Sequence, residues 1–141
     1  MQIDLDIGQP TWDLALMARP AALQQDWNYG EAVTRLGGRV IRAGLVDEGV
    51  LVGLAQFTAR KIAGLVDMAL CTRGPVWLET VSDAKRQQAY RLLKTGLGLS
   101  RPRLVMITPD EERDAGTRRL SRGMTGHSTV ILDLTQDVDA L

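Results

Sequence analysis

The sequence predicts a single α/β domain, with a mixed sheet and helices on its faces. Three observations carry that expectation. Ile41–Leu45, Val50–Ala59 and Val66–Leu70 are strand-length apolar segments, and Ser82–Leu97 bears an apolar stripe at helical spacing. A further short apolar run, Leu104–Thr108, follows that helix. Three consecutive strands make a meander, and a helix then crosses to another strand, which indicates a mixed sheet.

The elements follow in order. Met1–Ile7 alternates, with Ile3, Leu5 and Ile7 set against Gln2, Asp4 and Asp6, as a half-buried strand does. Gly8-Gln-Pro10 breaks that pattern. Trp12–Asn28 is mixed, and Pro20 reads as a helix start or a turn. Asn28–Leu36 is expected to be a short helix closed by Gly37-Gly38. Ile41, Ala43 and Leu45 share one face of the next strand, and Asp47-Glu48-Gly49 supplies a hairpin turn. Val50–Ala59 is too apolar for a one-sided edge strand and is placed at the centre of the sheet. Ala63-Gly64 breaks the chain before Val66–Leu70, and the Gly and Pro of Thr72-Arg-Gly-Pro-Val-Trp77 interrupt regular pairing.

Thr80 and Asp83 have capping-box spacing ahead of the clearest helix, whose apolar stripe is Ala89, Leu92, Leu93 and Leu97. Gly96 and Gly98 mark its end, and Pro109 stops the strand Leu104–Thr108. Asp110–Gly123 is charged and helical or irregular, and Ser128–Leu134 is expected as a last strand. Thr135–Leu141 looks like a helix just starting, an ending that suggests a piece of something longer.

Composition narrows the function classes. The chain has 141 residues, 45% hydrophobic and 24% charged, which describes a globular protein able to build a core without disulfides or metal. Seventeen basic residues balance seventeen acidic ones, so charge gives no reason to expect broad nucleic-acid or anionic-membrane binding. One cysteine, Cys71, excludes an intramolecular disulfide, and one histidine, His127, excludes a His-rich metal site. The longest charge-free run, Gly49–Ala59, is too short to span a bilayer. The acidic N-terminus is unlike a secretory signal, so a cytoplasmic location is expected.

Few residues stand out chemically. Trp27 and Tyr29 flank Asn28, where flat amphipathic rings can grip a sugar or base, or can simply pack a helix onto the sheet. Arg73 offers a bidentate fork for phosphate or carboxylate, and Gly74 allows close backbone approach. The plainer reading pairs Arg73 with an acid and leaves Gly74-Pro75 to fix a turn. Arg118, Arg119 and Arg122 read as a solvated face balanced by Asp110, Glu111, Glu112 and Asp114. His127 has no sequence partner for a triad or a metal, and Cys71 reads as a small buried hydrophobe. Catalytic residues are not assigned.

Two stretches, Leu23-Gln-Gln-Asp-Trp-Asn-Tyr-Gly-Glu31 with the following Gly37-Gly38 hairpin, and Arg73-Gly-Pro-Val-Trp77, carry a resemblance. Together with Ser128-Thr-Val-Ile-Leu-Asp-Leu134 they resemble the N-terminal half of the FemA/FemX (FemAB) family of peptidoglycan bridge-forming aminoacyltransferases. That family contains two tandem domains resembling Gcn5-related N-acetyltransferases. The resemblance implies such a fold for residues 1–141, as the N-terminal half of a two-domain protein. It implies a cytoplasmic, acceptor-side role in aminoacyl or acyl transfer to a peptidoglycan precursor or related small acceptor. Aminoacyl-tRNA is implied as a donor only with a second half. Arg73, Gly74, Trp27 and Tyr29 are the substrate-binding candidates. Some relatives place a basic residue near the end of the Trp27 helix, where Val33 stands here.

No cofactor is expected. The acyl-CoA cradle Arg/Gln-x-x-Gly-x-Gly/Ala is incomplete at Arg113–Arg118, and Pro75 lacks the N–H that a pyrophosphate cradle needs. The alternative reading is a non-enzymatic interaction or dimerisation module with a degenerate acetyltransferase-like fold. Loss of a packing partner would expose apolar surface, so self-association as a homodimer is expected too.

Overall fold

The computed structural model describes residues 1–19 and 21–110. In chain order they form β1 (Gln2–Asp4), α1 (Gln9–Ala18), a 3-10 turn (Leu23–Gln25), α2 (Trp27–Arg35), β2 (Arg39–Asp47), β3 (Val50–Ile62) and β4 (Val66–Thr72). Then come β5 (Val76–Trp77), α3 (Asp83–Gly96) and β6 (Arg103–Thr108). The sheet runs β1-β2-β3-β4-β6, and β5 also pairs with β3. β4 and β6 are parallel and every other pair is antiparallel, so the sheet is mixed.

The meander is built by local turn chemistry. Glu48 and Gly49 both take positive φ, 51° and 83°, which gives the two-residue hairpin turn that matches strand twist. At the second hairpin Ala63 and Gly64 also take positive φ, 49° and 70°, in a three-residue loop that Leu65 N–H closes on Ile62 C=O. β3 lies at the centre as its composition demands, and extends to Ile62.

α3 covers one face. Ala89, Tyr90, Leu93 and Leu97 pack there against Ile41, Leu45, Phe57 and Cys71. α1 and α2 cover the other, where Ile7, Trp12 and Leu54 form a second cluster joined by Leu16 and Trp27. A bulge sets which β3 side chains go where. Leu45 pairs with Gly53 and Val46 with Leu51, so Val52 is the extra residue. Val52 turns into the α3 core while Leu51 joins the opposite cluster.

Several expectations need correction. β1 is only Gln2–Asp4, because Asp6 N–H donates to Asp4 Oδ1 (2.9 Å) and turns the chain out of the sheet. Pro10 starts a helix rather than only breaking a strand, since it sits in the first turn of α1, where a missing N–H costs nothing. α3 is capped at Ser82 with no side-chain hydrogen bond, so the Thr80–Asp83 capping box does not form. The expected strand Ser128–Leu134 lies outside the described residues, as do Arg118, Arg119, Arg122, His127 and the incomplete cradle.

Candidate functional site

β3 changes partners midway. Its end pairs with β4 from Thr58 onward, and its beginning pairs with β5 at Gly53 and Leu54. Between them, among the described residues, Ala55–Phe57 has no strand on that side. The carboxamide of Gln25, fully buried, fills the gap. Its Oε1 accepts from Gln56 N–H at 2.8 Å, and its Nε2 donates to Gln56 C=O at 3.3 Å and Thr72 C=O at 2.8 Å. A side chain thereby replaces a strand's peptide group.

The Gln56 side chain continues the network on the α1/α2 face. Its Nε2 donates to Gln24 C=O (3.1 Å) and Asp26 C=O (2.8 Å), and its Oε1 accepts from Arg42 Nε (2.8 Å). Arg42 Nη2 reaches Glu31 Oε1 at 2.9 Å and Trp27 C=O at 3.1 Å, while its guanidinium stacks 3.6 Å from the Trp27 ring centre. Gly30 makes room: a Cβ there would lie 2.4 Å from Gln56 Oε1. Trp12 completes the wall, meeting Trp27 edge-on and donating Nε1–H to Gln25 C=O at 2.9 Å.

Trp27 is the first residue of α2, behind the N-cap Asp26, whose carboxylate accepts from Asn28 N–H. It stands between two open grooves. One, of about 510 Å³, has Asp6, Ile7, Arg39, Arg42 and Leu97 on its walls; the other, of about 730 Å³, has Gln9, Glu31, Arg35 and Leu36. Tyr29 is half-buried on α2 and lines neither groove, so the two rings do not form one clamp.

Arg73 and Gly74 lie elsewhere, at the carboxyl ends of the parallel pair β4 and β6. Arg73 takes a left-handed backbone, φ 53°, a conformation that favours glycine. β6 holds the loop there: Thr108 Oγ1 accepts from Arg73 N–H (3.4 Å) and Thr108 C=O from Gly74 N–H (3.3 Å). The Arg73 guanidinium donates to Asp110 Oδ1 at 3.0 Å, with both side chains still reached by solvent. Gly74 abuts the buried network, and a Cβ on it would lie 2.7 Å from Gln25 Cδ and 2.8 Å from Cys71 Sγ.

The sequence reading missed Gln25, Gln56 and Arg42. A usable signal existed in Gln56, a carboxamide in the middle of an apolar central strand, which must find partners. Cys71 is buried beside Gln25, and burial pushes its thiol up to about 12, far from thiolate chemistry. Lys61 and the Ser100 N–H hold the Asp67 carboxyl below the usual range, with Arg39 adding a smaller effect. Lys85 lowers Asp47 in the same way, and Asp47 raises Lys85 in return. Among the described residues, no group of His, Cys, Asp and Glu side chains could hold a metal, and no helix is long and apolar enough to cross a membrane.

A mixed α/β sheet, covered by α3 on one face and by α1 and α2 on the other, is the class of domain these features define. Among solved structures, the chain is similar in fold to FemX, with a TM-score of 0.51 and 22% identity. The match covers 67% of this chain and 23% of FemX, so the chain matches under a quarter of that protein's length. No family model matches the chain, and no curated protein does.

Proposed function

We propose that this chain is an acceptor-side domain of an aminoacyl- or acyltransferase acting on a peptidoglycan precursor or a related amine. The observation that carries the reading is the FemX-like fold over two thirds of the chain. The residue-level resemblance at Leu23–Glu31 and Arg73–Trp77 falls on described residues. In this reading the domain is the N-terminal, acetyltransferase-like half of a cytoplasmic two-domain protein and is inactive alone. In the complete protein the acceptor amine attacks an activated ester. A C–N bond forms, the ester C–O bond breaks, and the amine proton leaves with the departing oxygen. Such chemistry depends on positioning more than on a protein nucleophile.

Arg73 is assigned the anionic part of the acceptor. It sits outside the carboxyl ends of parallel strands, the usual place for ligands in open α/β sheets, and its fork is held by an exposed acid that an incoming phosphate can replace. Gly74 sets the loop against Gln25, and Trp27 offers an aromatic wall to the grooves. Tyr29 remains a candidate on α2. The interaction-module alternative draws on Leu14 and Met17 of α1, which are 68% and 81% exposed and favour self-association.

Calorimetric titration with a soluble nucleotide-linked peptidoglycan precursor tests the assignment. Binding is expected, with Arg73→Ala weakening it by about 1.5–3 kcal/mol, the scale of a charged hydrogen bond. Micromolar binding of acetyl-CoA instead, with no response to the precursor, overturns the reading.

A further inference from the structure

β2 is longer than the strand that pairs with its outer edge. β1 covers it only at Val46, Leu45 and Gly44, whereas β2 runs back to Arg39. In an antiparallel pair each strand residue turns its N–H and C=O to one side, and alternate residues face opposite edges. Within Arg39–Ala43 some backbone groups therefore point away from β3. Among the described residues nothing pairs with them. A bare edge of this kind is a template for another strand.

Among the described residues, the surroundings leave that edge open. After Asp4 the chain swings toward α1 and buries Ile7 in the Trp12 cluster, instead of continuing beside β2. The result is the 510 Å³ groove, with Ile7 and Trp27 on one wall and Leu97 and Gly98 on the other. Its size lies within the roughly 300–1,000 Å³ of ligand sites. Arg39 stands exposed at its far end and makes no ion pair among the described residues. Asp67, the acid that senses its charge, is already paired with Lys61. Arg42, in contrast, is neutralised by Glu31.

We infer that the uncovered edge of β2 at Arg39–Ala43 binds an extended peptide segment, antiparallel to β2, with an acidic side chain at its C-terminal end. The orientation follows from the register. Asp4 faces Gly44, so an incoming strand that takes over from β1 meets Ala43 first and Arg39 last. Residues facing Ala43, Ile41 and Arg39 share the Leu97 wall, and those facing Arg42 and Val40 share the Trp27 wall. Backbone pairing supplies affinity, and the last residue supplies a charge match to Arg39. This goes beyond the transferase reading and stands without it.

The test is a nuclear magnetic resonance titration of the ¹⁵N-labelled chain with the capped peptide Ac-Val-Thr-Val-Thr-Glu-NH₂. Two further versions carry N-methyl groups on its odd or its even residues. Shifts and slowed amide exchange are expected within Val40–Ala43. One N-methylated version is expected to lose binding and the other to keep it, because only one set of peptide N–H groups faces β2. Replacing the peptide Glu by Gln, or Arg39→Glu in the exposed protein position, is expected to weaken binding about fivefold, the scale of one exposed ion pair. Absence of any response at residues 39–43 with peptide at its solubility limit overturns the proposal. Equal binding by both N-methylated versions overturns it as well.

Discussion

Replacing Gln25 by leucine keeps the side-chain volume nearly constant and removes the hydrogen bonds that fill the gap in the sheet. Three backbone groups lose their partner: the buried Gln56 N–H at 2.8 Å and Gln56 C=O at 3.3 Å, and the part-buried Thr72 C=O at 2.8 Å. A buried group left unpaired costs about 1–3 kcal/mol, with the long bond and the part-buried carbonyl at the low end, so the expected loss is ~3–5 kcal/mol. Against a total of about 5–15 kcal/mol for an ordinary domain, that is a large fraction. Urea titration followed by circular dichroism reads it directly, as a fall in midpoint of about 2 M at an m-value near 2 kcal/mol/M. Gly74→Ala is expected to act through the same carboxamide, because its Cβ meets Gln25 Cδ at 2.7 Å. The two substitutions should therefore be strongly non-additive in a double-mutant cycle. A Gln25→Leu protein within about 1 kcal/mol of the parent refutes the idea that this amide stands in for a strand, since an ordinary point substitution costs about that much.

Two more outcomes are expected. Cys71, with its thiol pushed up to about 12 by burial, should resist iodoacetamide in the native protein at neutral pH and react once the chain is unfolded in urea, as mass spectrometry will read. The Asp67 carboxyl is held below its ordinary 3.8 by Lys61 and Ser100, so it stabilises the fold above that pH, and the contribution fades as pH falls through the lower native value. Asp67→Asn should flatten the acid limb of a stability–pH curve; an unchanged limb would show that the pair contributes nothing there.

Much of the sheet was readable because its signals are local. Turn residues at Glu48-Gly49 and Ala63-Gly64, together with apolar strand-length runs, fix the meander without reference to distant parts of the chain. α3 was readable for the same reason, since Ala89, Leu93 and Leu97 make one stripe. α1 was not, because its apolar residues point both ways: Trp12 and Leu16 inward, Leu14 and Met17 outward. The bulge at Val52 left no mark in the pattern either, as a one-residue slip inside an apolar run changes no periodicity that can be seen. The site residues divide the same way. Arg73 and Trp27 were visible as chemistry, whereas Gln25, Gln56 and Arg42 become a network only when residues about 30 positions apart, such as Gln25 and Gln56, are brought together.

The three tryptophans occupy different electrical environments, and that makes the protein its own optical probe. Trp12 is sealed from solvent with its indole N–H bonded to a carbonyl, and Trp77 is buried with its N–H unpartnered among the described residues. Trp27 alone sits half-exposed under a guanidinium and on the walls of both grooves. Occupancy of either groove should therefore shift the red side of the emission band, which Trp27 dominates, while the blue side set by Trp12 and Trp77 holds still until the fold itself opens. One spectrum then separates filling a groove from loosening the core.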